Sequence, residues 1–196
     1  MRLGIRNVSL DDITEELGIS KKTIYAHYVN KADLVQHVIK QHIEKEKLFC
    51  EGIFSGRLNS IEELMAIGYF LCSKFDRMKP GSIVELKRFF PESWKLYESH
   101  RMDYVKQILI GNINRGKTQG LYREDLSEKL IVELYMNNID HLLRRIEESS
   151  MNSSMSKEYL EYLKYHIFGI STPLGSSFLT EYLKKIPNNE YDYFNL

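Results

Sequence analysis

Residues 8–34 read VSLDDITEELGISKKTIYAHYVNKADL, and this stretch predicts two short helices joined by a tight turn. Ser9 and Asp12 have the spacing of a capping box, so the first helix is predicted to begin directly after Ser9. Gly18 stands where a helix commonly ends in a left-handed residue. Ser20 is a favoured N-cap for the second helix. The stretch therefore predicts a helix-turn-helix.

A third, longer helix is predicted to begin at Lys31. Asn30 can cap it, and Asp33 lies in its first turn, where the helix dipole favours an anion. Apolar residues then recur near helical spacing as far as about Phe54. This helix would begin in the N-terminal region and end in the second domain, which would make it the mechanical link between the two.

The second short helix, roughly Lys21 to His27, is predicted to be a recognition helix that lies in a DNA major groove. Lys22 stands beside Lys21 at its N-terminal end, and Thr23 and Tyr25 carry hydroxyls that can donate to phosphate oxygens. Such contacts mostly position a protein on DNA rather than read its sequence. Acidic residues cluster on the first helix and basic residues on and after the second, which is the segregation of charge that a DNA-facing surface needs.

The residues GISKKTIY (18–25), then Tyr28, then NKADL (30–34) resemble the DNA-binding signature of TetR-family transcriptional regulators, and Ile13 and Leu17 match as well. The resemblance implies an all-helical homodimer with a small N-terminal DNA-binding domain and a larger domain that binds a small ligand and dimerises. The DNA contacts that it implies are Ser9, Ser20, Lys21, Lys22, Thr23, Tyr25, His27 and Lys31. The residues equivalent to Tyr25 and Lys31 usually grip phosphates in such proteins.

The chain departs from that signature before residue 4, because the family has a helix there and only three residues precede Gly4 here. The first helix is therefore expected to be missing, either because the start codon is misassigned, because the chain is truncated, or because the helix is truly absent. That helix normally packs across the other two, so we expect Ile13, Leu17, Ile24 and Tyr28 to be partly uncovered. Burying one such side chain contributes on the order of 1.5–3 kcal/mol.

Composition is that of an ordinary globular protein, with 43% apolar and 28% charged residues and a formal net charge of zero. No stretch alternates like a strand, so the fold is predicted to be all-α. The predicted domains are a helix-turn-helix DNA-binding domain at 1–47 and a helical ligand-binding and dimerisation domain at 48–196. Without a membrane span or a signal peptide, a cytoplasmic location is expected, where Cys50 and Cys72 would be free thiols.

Further helices are predicted along the second domain. Asn59 or Ser60 caps one of them, and Pro91 is well placed to open another that continues towards Gly116. The others are predicted over Ser82–Phe90, Ser127–Glu148, Lys157–Phe168 and Leu174–Lys185. A polar loop is predicted at 149–156.

Two helices near the C-terminus have wide apolar faces that could form a two-fold symmetric four-helix interface with a second copy. The predicted interface residues are Leu130, Leu134, Leu142, Ile146, Tyr159, Leu163 and Ile167. The same periodicity would also fit burial inside one chain. The family resemblance favours the homodimer, in which two recognition helices about 34–36 Å apart would meet a near-palindromic site.

Aromatic residues in the middle of the chain could line a pocket for a small, partly hydrophobic effector, because such pockets are mostly apolar with a few polar groups. The predicted lining residues are Phe70, Phe90, Trp94, Tyr97, Tyr104, Tyr135, Asn138 and His141. Large aromatics at helical spacing would equally fit an ordinary core.

Nothing in the sequence favours an enzyme. His37 and His42 are five residues apart, which places them on different sides of a helix rather than together as a metal pair. There is no phosphate-binding glycine loop and no nucleophile elbow, so no cofactor or metal is expected. The predicted function is a DNA-binding, ligand-responsive repressor that binds its operator as a homodimer. The alternative is a truncated dimeric small-molecule-binding module without DNA-binding competence.

Overall fold

The computed structural model describes residues 4–77, 81–148 and 155–185. In these ranges the chain forms helices and short connections without a named strand, which confirms the all-α prediction. The helices are α1 (Leu10–Leu17), α2 (Lys21–Tyr25), α3 (Lys31–Ile53), α4 (Ser60–Arg77), α5 (Ser82–Phe89), α6 (Pro91–His100), α7 (Lys106–Thr118), α8 (Glu128–Glu148), α9 (Met155–Ile170) and α10 (Pro173–Lys185). None of them, within the described ranges, is long and apolar enough to cross a membrane.

The chain divides into two compact units. The first unit comprises Met1–Leu48 and Lys79–Asp103, and the second comprises Phe49–Met78 and Tyr104–Leu196. The first unit therefore contains α5 and α6 as well as the predicted helix-turn-helix. The functional boundary after residue 47 stays a prediction.

The N-terminal helices bury a small core of their own. Leu10 and Thr14 of α1 and Ile24 of α2 are buried, and these two helices pack against each other. Leu17, in contrast, is 63% exposed. Ile13 and Tyr28 are half-buried, so the expectation of partly uncovered apolar residues holds for these two and for Leu17. It is wrong for Ile24, because the packing of α1 on α2 covers that side chain.

A π-helical turn at Arg101–Val105 interrupts what the sequence pattern predicts as one helix after Pro91. Pro91 does open α6, where its missing N–H costs nothing. The π turn adds a residue to one turn and so changes which side chains face inward. Arg101 lies in this turn and is buried, a position that the apolar spacing did not reveal.

The core of the second unit forms where α4 packs against α9. The close approach of α4 to α9 depends on Gly68, where a Cβ would meet Leu163. On α7, a Cβ at Gly116 would meet the ring of Tyr122. Tyr122 is completely buried, and its hydroxyl donates to the Ser60 carbonyl at 3.0 Å. Burial raises the pKa of Tyr122, so this phenol stays protonated and remains a donor.

A buried ion pair fixes α7 against the start of α4. Glu63 is 2% exposed, and its Oε2 accepts from Arg115 Nη2 at 2.6 Å and from the Asn112 amide at 2.9 Å. The second Asn112 amide proton is donated to the Ser60 carbonyl at 2.8 Å. Because the carboxylate has several donors, its burial is compensated.

The ends of several helices differ slightly from the predictions. Asn59 caps α4 through its side-chain oxygen, and Ser127 is the residue that accepts at the start of α8. Helix α9 begins at Met155, two residues before its predicted start, and residues 149–154 of the predicted loop lie outside the described ranges. Cys50 and Cys72 are buried thiols that form no disulfide, as predicted.

Candidate functional site

The helix-turn-helix is formed by α1, the turn at Gly18 and α2. Ser9 caps α1 with both bonds of a capping box, because its Oγ accepts from the Asp12 amide and its own amide donates to the Asp12 carboxylate. Gly18 has φ of 62°, the left-handed conformation that ends α1. Ser20 caps α2 by accepting from the Thr23 amide at 3.1 Å.

The outer edge of α2 is polar and accessible. Lys22 is exposed and has no ion-pair partner among the described residues, and Tyr25 is 55% exposed. His27 is also exposed, with its ring centroid 6.4 Å from that of Tyr28. Three further predicted residues, Ser9, Ser20 and Thr23, are exposed as well. Their hydroxyls already form hydrogen bonds within the protein: Ser9 and Ser20 cap α1 and α2, and the Ser20 and Thr23 hydroxyls bond to each other. These predicted residues are thus all exposed, and the two serines also cap α1 and α2.

Lys21 is paired, which charge segregation along the sequence did not predict. Its Nζ lies 2.7 Å from Asp11 Oδ2, so a carboxylate of α1 reaches the first residue of α2. This hydrogen bond and the charge of Asp11 raise the pKa of Lys21. Both side chains are largely exposed, so the ion pair is screened by water and weak. The Lys21 ammonium keeps two further protons that can be donated to a DNA phosphate, but the Asp11 carboxylate beside it repels that phosphate.

Lys31 is half-buried and is held by the N-terminal segment and α5. Its Nζ donates to the Arg6 carbonyl at 2.7 Å, and the Arg6 amide donates to Glu85 Oε2 at 3.0 Å. The ammonium also lies 5.7 Å from the centroid of the Phe90 ring. Burial lowers the pKa of Lys31, while the charges of Glu85 and Asp12 act in the opposite direction. Sequence reasoning missed Arg6 and Glu85, since no local pattern connects residues 79 positions apart.

The model of the bacterial regulatory proteins of the tetR family matches residues 2–38, the segment that contains this helix-turn-helix. Residues 2–38 therefore carry the helix-turn-helix of the TetR family. The predicted resemblance is confirmed over this segment, and the described part of the chain has the all-helical architecture that it implied.

One curated relative is the uncharacterised HTH-type transcriptional regulator YvaF of Bacillus subtilis (strain 168). It is 26% identical over 138 residues, which are 68% of this chain and 70% of that protein. The match extends well beyond the helix-turn-helix.

Solved structures share the fold over most of the chain. A TetR-family regulator from Agrobacterium tumefaciens has a TM-score of 0.70 at 16% identity, covering 87% of this chain and 90% of that one. The regulator FadR from Bacillus subtilis, solved in complex with stearoyl-CoA, has a TM-score of 0.63 at 15% identity, covering 85% and 91%. A putative regulator from Saccharomonospora viridis, solved in complex with choline, has a TM-score of 0.66 at 19% identity, covering 87% and 91%. At these low sequence identities the structural likeness establishes the fold alone.

The predicted pocket residues are distributed over both units. In the first unit, Phe90 is buried beneath Lys31, and the rings of Trp94 and Tyr97 lie 5.8 Å apart. In the second unit, Phe70 stacks on Phe49 and Tyr104 is half-buried. The remaining three lie on α8, where Tyr135 is buried and Asn138 and His141 are exposed. The described structure does not gather the eight residues within one unit, and their role in ligand binding stays a prediction.

A small cavity of about 10 Å³ lies within the second unit, and we refer to it as the inner cavity. Tyr135 is the predicted pocket residue that contributes to its wall. The lining residues are Leu64, Leu109, Asn112, Ile113, Ile131, Val132, Tyr135 and His166. A cavity of roughly 10–15 Å³ is large enough to hold one water molecule. Sequence reasoning missed most of this wall because its residues come from four different helices.

The predicted interface residues separate into two groups. Tyr159, Leu163 and Ile167 are completely buried inside the second unit, so their prediction as interface residues is wrong. They lie on the inner face of α9, which packs against α4. The core interpretation of that apolar face is the right one, because one chain already covers it.

On α8, Leu142 is also buried, whereas Leu130 is 54% and Leu134 is 48% exposed. The side chain of Ile146 lies outside the described part of the structure. On α9, Tyr165 is 76% and Phe168 is 41% exposed. Of the predicted group, Leu130 and Leu134 therefore remain available to a second copy.

Proposed function

We propose that this chain is a ligand-responsive transcriptional repressor that binds a near-palindromic operator as a homodimer. The observation that carries the proposal is the exposed polar edge of α2 at the end of a capped helix-turn-helix. Lys22 and Tyr25 are exposed on α2, and His27 is exposed two residues after its end. The N-terminal end of such a helix is the part that approaches base edges and phosphates.

Release by a small molecule is the second part of the proposal. Structures of the same fold were solved with stearoyl-CoA and with choline, which supports a ligand site in this architecture. An effector acts only through its different affinity for two conformations. Helix α3 runs without a break from Lys31 to Ile53 and so belongs to both units, which makes it the element through which a change in one unit reaches the other. A coupling of about 1–3 kcal/mol would change operator affinity roughly 5–150-fold.

The operator can be identified by selecting duplexes from a random pool with the full chain. We expect enrichment of a near-palindrome whose half-sites lie about one helical turn, 34–36 Å, apart. Enrichment of a single unpaired half-site would contradict the homodimer but retain DNA binding. A pool that stays random would contradict the DNA-binding function.

The residues that bind DNA can then be tested on the selected duplex. Tyr25→Ala and Lys31→Ala are each expected to weaken binding and to lower the salt slope by about 0.9 for each phosphate that the variant no longer binds. Lys40→Ala on the exposed surface of α3 is the matched control, because it removes a lysine outside the proposed edge. Fluorescence anisotropy at several salt concentrations gives both quantities. An unchanged affinity for both variants would show that these two residues do not bind DNA.

The alternative function is a dimeric small-molecule-binding module that does not bind DNA. Two observations favour it: Asp11 neutralises Lys21 on the recognition edge, and Leu17 is largely exposed on α1. Dimerisation and ligand binding in a chain that enriches no duplex would support this alternative.

A further inference from the structure

The inner cavity brings together four helices of the second unit around an almost entirely apolar wall. Leu64 comes from α4, Leu109 from α7, Val132 from α8 and His166 from α9. Its volume of about 10 Å³ leaves room for no more than a water molecule, so a larger guest enters only if part of the wall moves.

His166 is the polar group on this wall that keeps its hydrogen-bonding capacity. The Asn112 amide is committed to the Ser60 carbonyl and to Glu63, and the Tyr135 hydroxyl is committed to Tyr159. His166 makes ring contacts but no hydrogen bond within the residues that the structure describes. A guest in the cavity would therefore find one uncommitted polar partner.

The wall carries no formal charge at neutral pH. Burial lowers the pKa of His166 to about 4, so its ring is neutral and offers one donor and one acceptor nitrogen. The other lining residues are apolar or are neutral Asn112 and Tyr135. A charged guest would lose its hydration without gaining a counter-ion, which is unfavourable. The electrostatics of the wall thus select uncharged molecules.

The wall is thinnest at His166 and Ile131, which are half-buried while the other lining residues are buried. The His166 ring lies between Tyr135 and Tyr162, at centroid distances of 5.0 and 5.9 Å. If this ring swings towards the surface, a flat apolar group can take its place against Tyr135. A ring nitrogen then remains at the mouth of the enlarged cavity.

We propose that the inner cavity is the closed form of a binding site for a small uncharged molecule, with a flat apolar body and one hydroxyl or carbonyl group that hydrogen-bonds to His166. This site rests on the proposed function in that it would be the place where the effector of the repressor binds. The earlier pocket prediction contributes Tyr135 to it and leaves out the exposed residues Asn138 and His141.

Three probes with the same benzyl skeleton test the charge selectivity. Benzyl alcohol is neutral, benzoate is an anion and benzylamine is a cation at neutral pH. We expect benzyl alcohol to raise the melting temperature of the full chain in the absence of DNA, and the two ions to leave it unchanged. Stabilisation by either ion equal to that by the alcohol would overturn the proposal, as would no stabilisation by the alcohol.

Two variants test the location. His166→Phe keeps a ring in the wall but removes its nitrogens, and it is expected to weaken benzyl alcohol binding about 2- to 10-fold by calorimetry, the equivalent of one neutral hydrogen bond. His141→Phe, on the exposed surface of α8, is the matched control and should bind as the wild type does. Val132→Phe fills the cavity and is expected to abolish binding. If Val132→Phe does not fold, the comparison of His166→Phe with His141→Phe still decides; equal affinity of these two would overturn the site.

The outcome is separable from that of the proposed function, because binding is measured without DNA. A chain that binds benzyl alcohol through His166 but enriches no duplex would retain this site and lose the repressor function. A chain that enriches an operator but does not bind the alcohol would retain DNA binding and lose this site.

Discussion

At the scale of single residues, the charge at the start of α2 depends on Asp11 of α1 as well as on Lys21 and Lys22. Asp11 lies 2.7 Å from Lys21, so one of the two lysines that open α2 is neutralised, while Lys22 is exposed and unpaired among the described residues. An ion pair this exposed is screened by water and contributes little, so a phosphate can compete with it. We therefore regard Asp11 as a residue that weakens DNA binding.

Asp11→Asn is expected to increase affinity for the selected duplex about two- to fivefold, because it frees Lys21 and removes a negative charge from the edge. One additional phosphate contact would steepen the salt slope by about 0.9. Glu16→Gln, which removes an exposed carboxylate elsewhere on α1, is the control for a general effect of charge. Equal gains for both variants in an anisotropy titration would show that the specific pairing has no role.

Gly116 is a second residue whose role is local and steric. An added Cβ would overlap Cδ2 of Tyr122, a completely buried ring, so Gly116→Ala is expected to destabilise the fold by about 1–3 kcal/mol. Gly169→Ala lies within α9, and its added Cβ would have nothing within 4 Å. The stability of this control variant should equal that of the wild type or exceed it by up to about 1 kcal/mol, because alanine has the higher helix propensity. Urea denaturation measures both, and equal stabilities would contradict the packing argument.

At the scale of elements, the short α1 depends on its cap. Eight residues form a marginal helix alone, so the capping box at Ser9 contributes a large share of its stability. The hydrogen bonds from the Ser9 amide and hydroxyl lower the pKa of Asp12 below the ordinary value of 3.8. This stabilisation is therefore present above pH 3.8 and is lost as the pH falls through the pKa of the folded state.

Ser9→Ala is expected to destabilise the fold by about 0.5–2 kcal/mol at neutral pH, since it removes the side-chain cap. The difference from wild type should narrow as the pH falls below 3.8, and it should be smallest below the lowered pKa of the folded state, where Asp12 is protonated in both folded and unfolded chains. It should not vanish, because the Asp12 amide still loses its bond to Ser9 Oγ. Thermal unfolding at neutral and acidic pH measures the difference in stability between Ser9→Ala and wild type. A difference that does not change with pH would contradict the role of the Asp12 carboxylate.

Helix α5 is the element whose position the sequence did not anticipate. Glu85 binds the Arg6 amide, and the Arg6 guanidinium lies 4.7 Å from the centroid of the Phe89 ring. Together with the contact of Lys31 to Phe90, these interactions hold the N-terminal segment within the first unit. Lys31 is thus part of the packing of that unit, and any phosphate contact it makes is added to this structural role.

At the scale of the whole molecule, the exposed apolar residues of α8 and α9 indicate the surface on which a second copy would pack. Leu130 and Leu134 are about half exposed on α8, and Tyr165 and Phe168 are exposed on α9, which packs against α8. We propose that the chain forms a homodimer and that these four residues lie in its interface.

Leu134→Glu is expected to convert the dimer to monomer, because a carboxylate buried without a partner is strongly unfavourable. Operator affinity should fall with it, since two linked recognition helices bind better than one. Leu48→Glu replaces a comparably exposed leucine on α3 and is the control. Sedimentation velocity gives the oligomeric state; a Leu134→Glu chain that remains dimeric would exclude this surface as the interface.

The sequence by itself determined the features that depend on neighbours in the chain. Helix caps, the left-handed turn at Gly18 and apolar spacing act over a few residues, so the helix-turn-helix and most helix boundaries were predictable from Val8 onwards. The family signature in the same stretch then indicated the fold class.

Only the tertiary structure decided which apolar faces are core and which polar groups are paired. The inner face of α9 is buried against α4, Lys21 is bound by Asp11, and His166 joins a wall built from four helices. The periodicity of a sequence shows that one face of a helix is apolar, but it does not show what covers that face. The sequence likewise gives the charge of each side chain but not the residue with which it pairs. Both depend on residues far apart in the chain, which only the packing of the helices brings together.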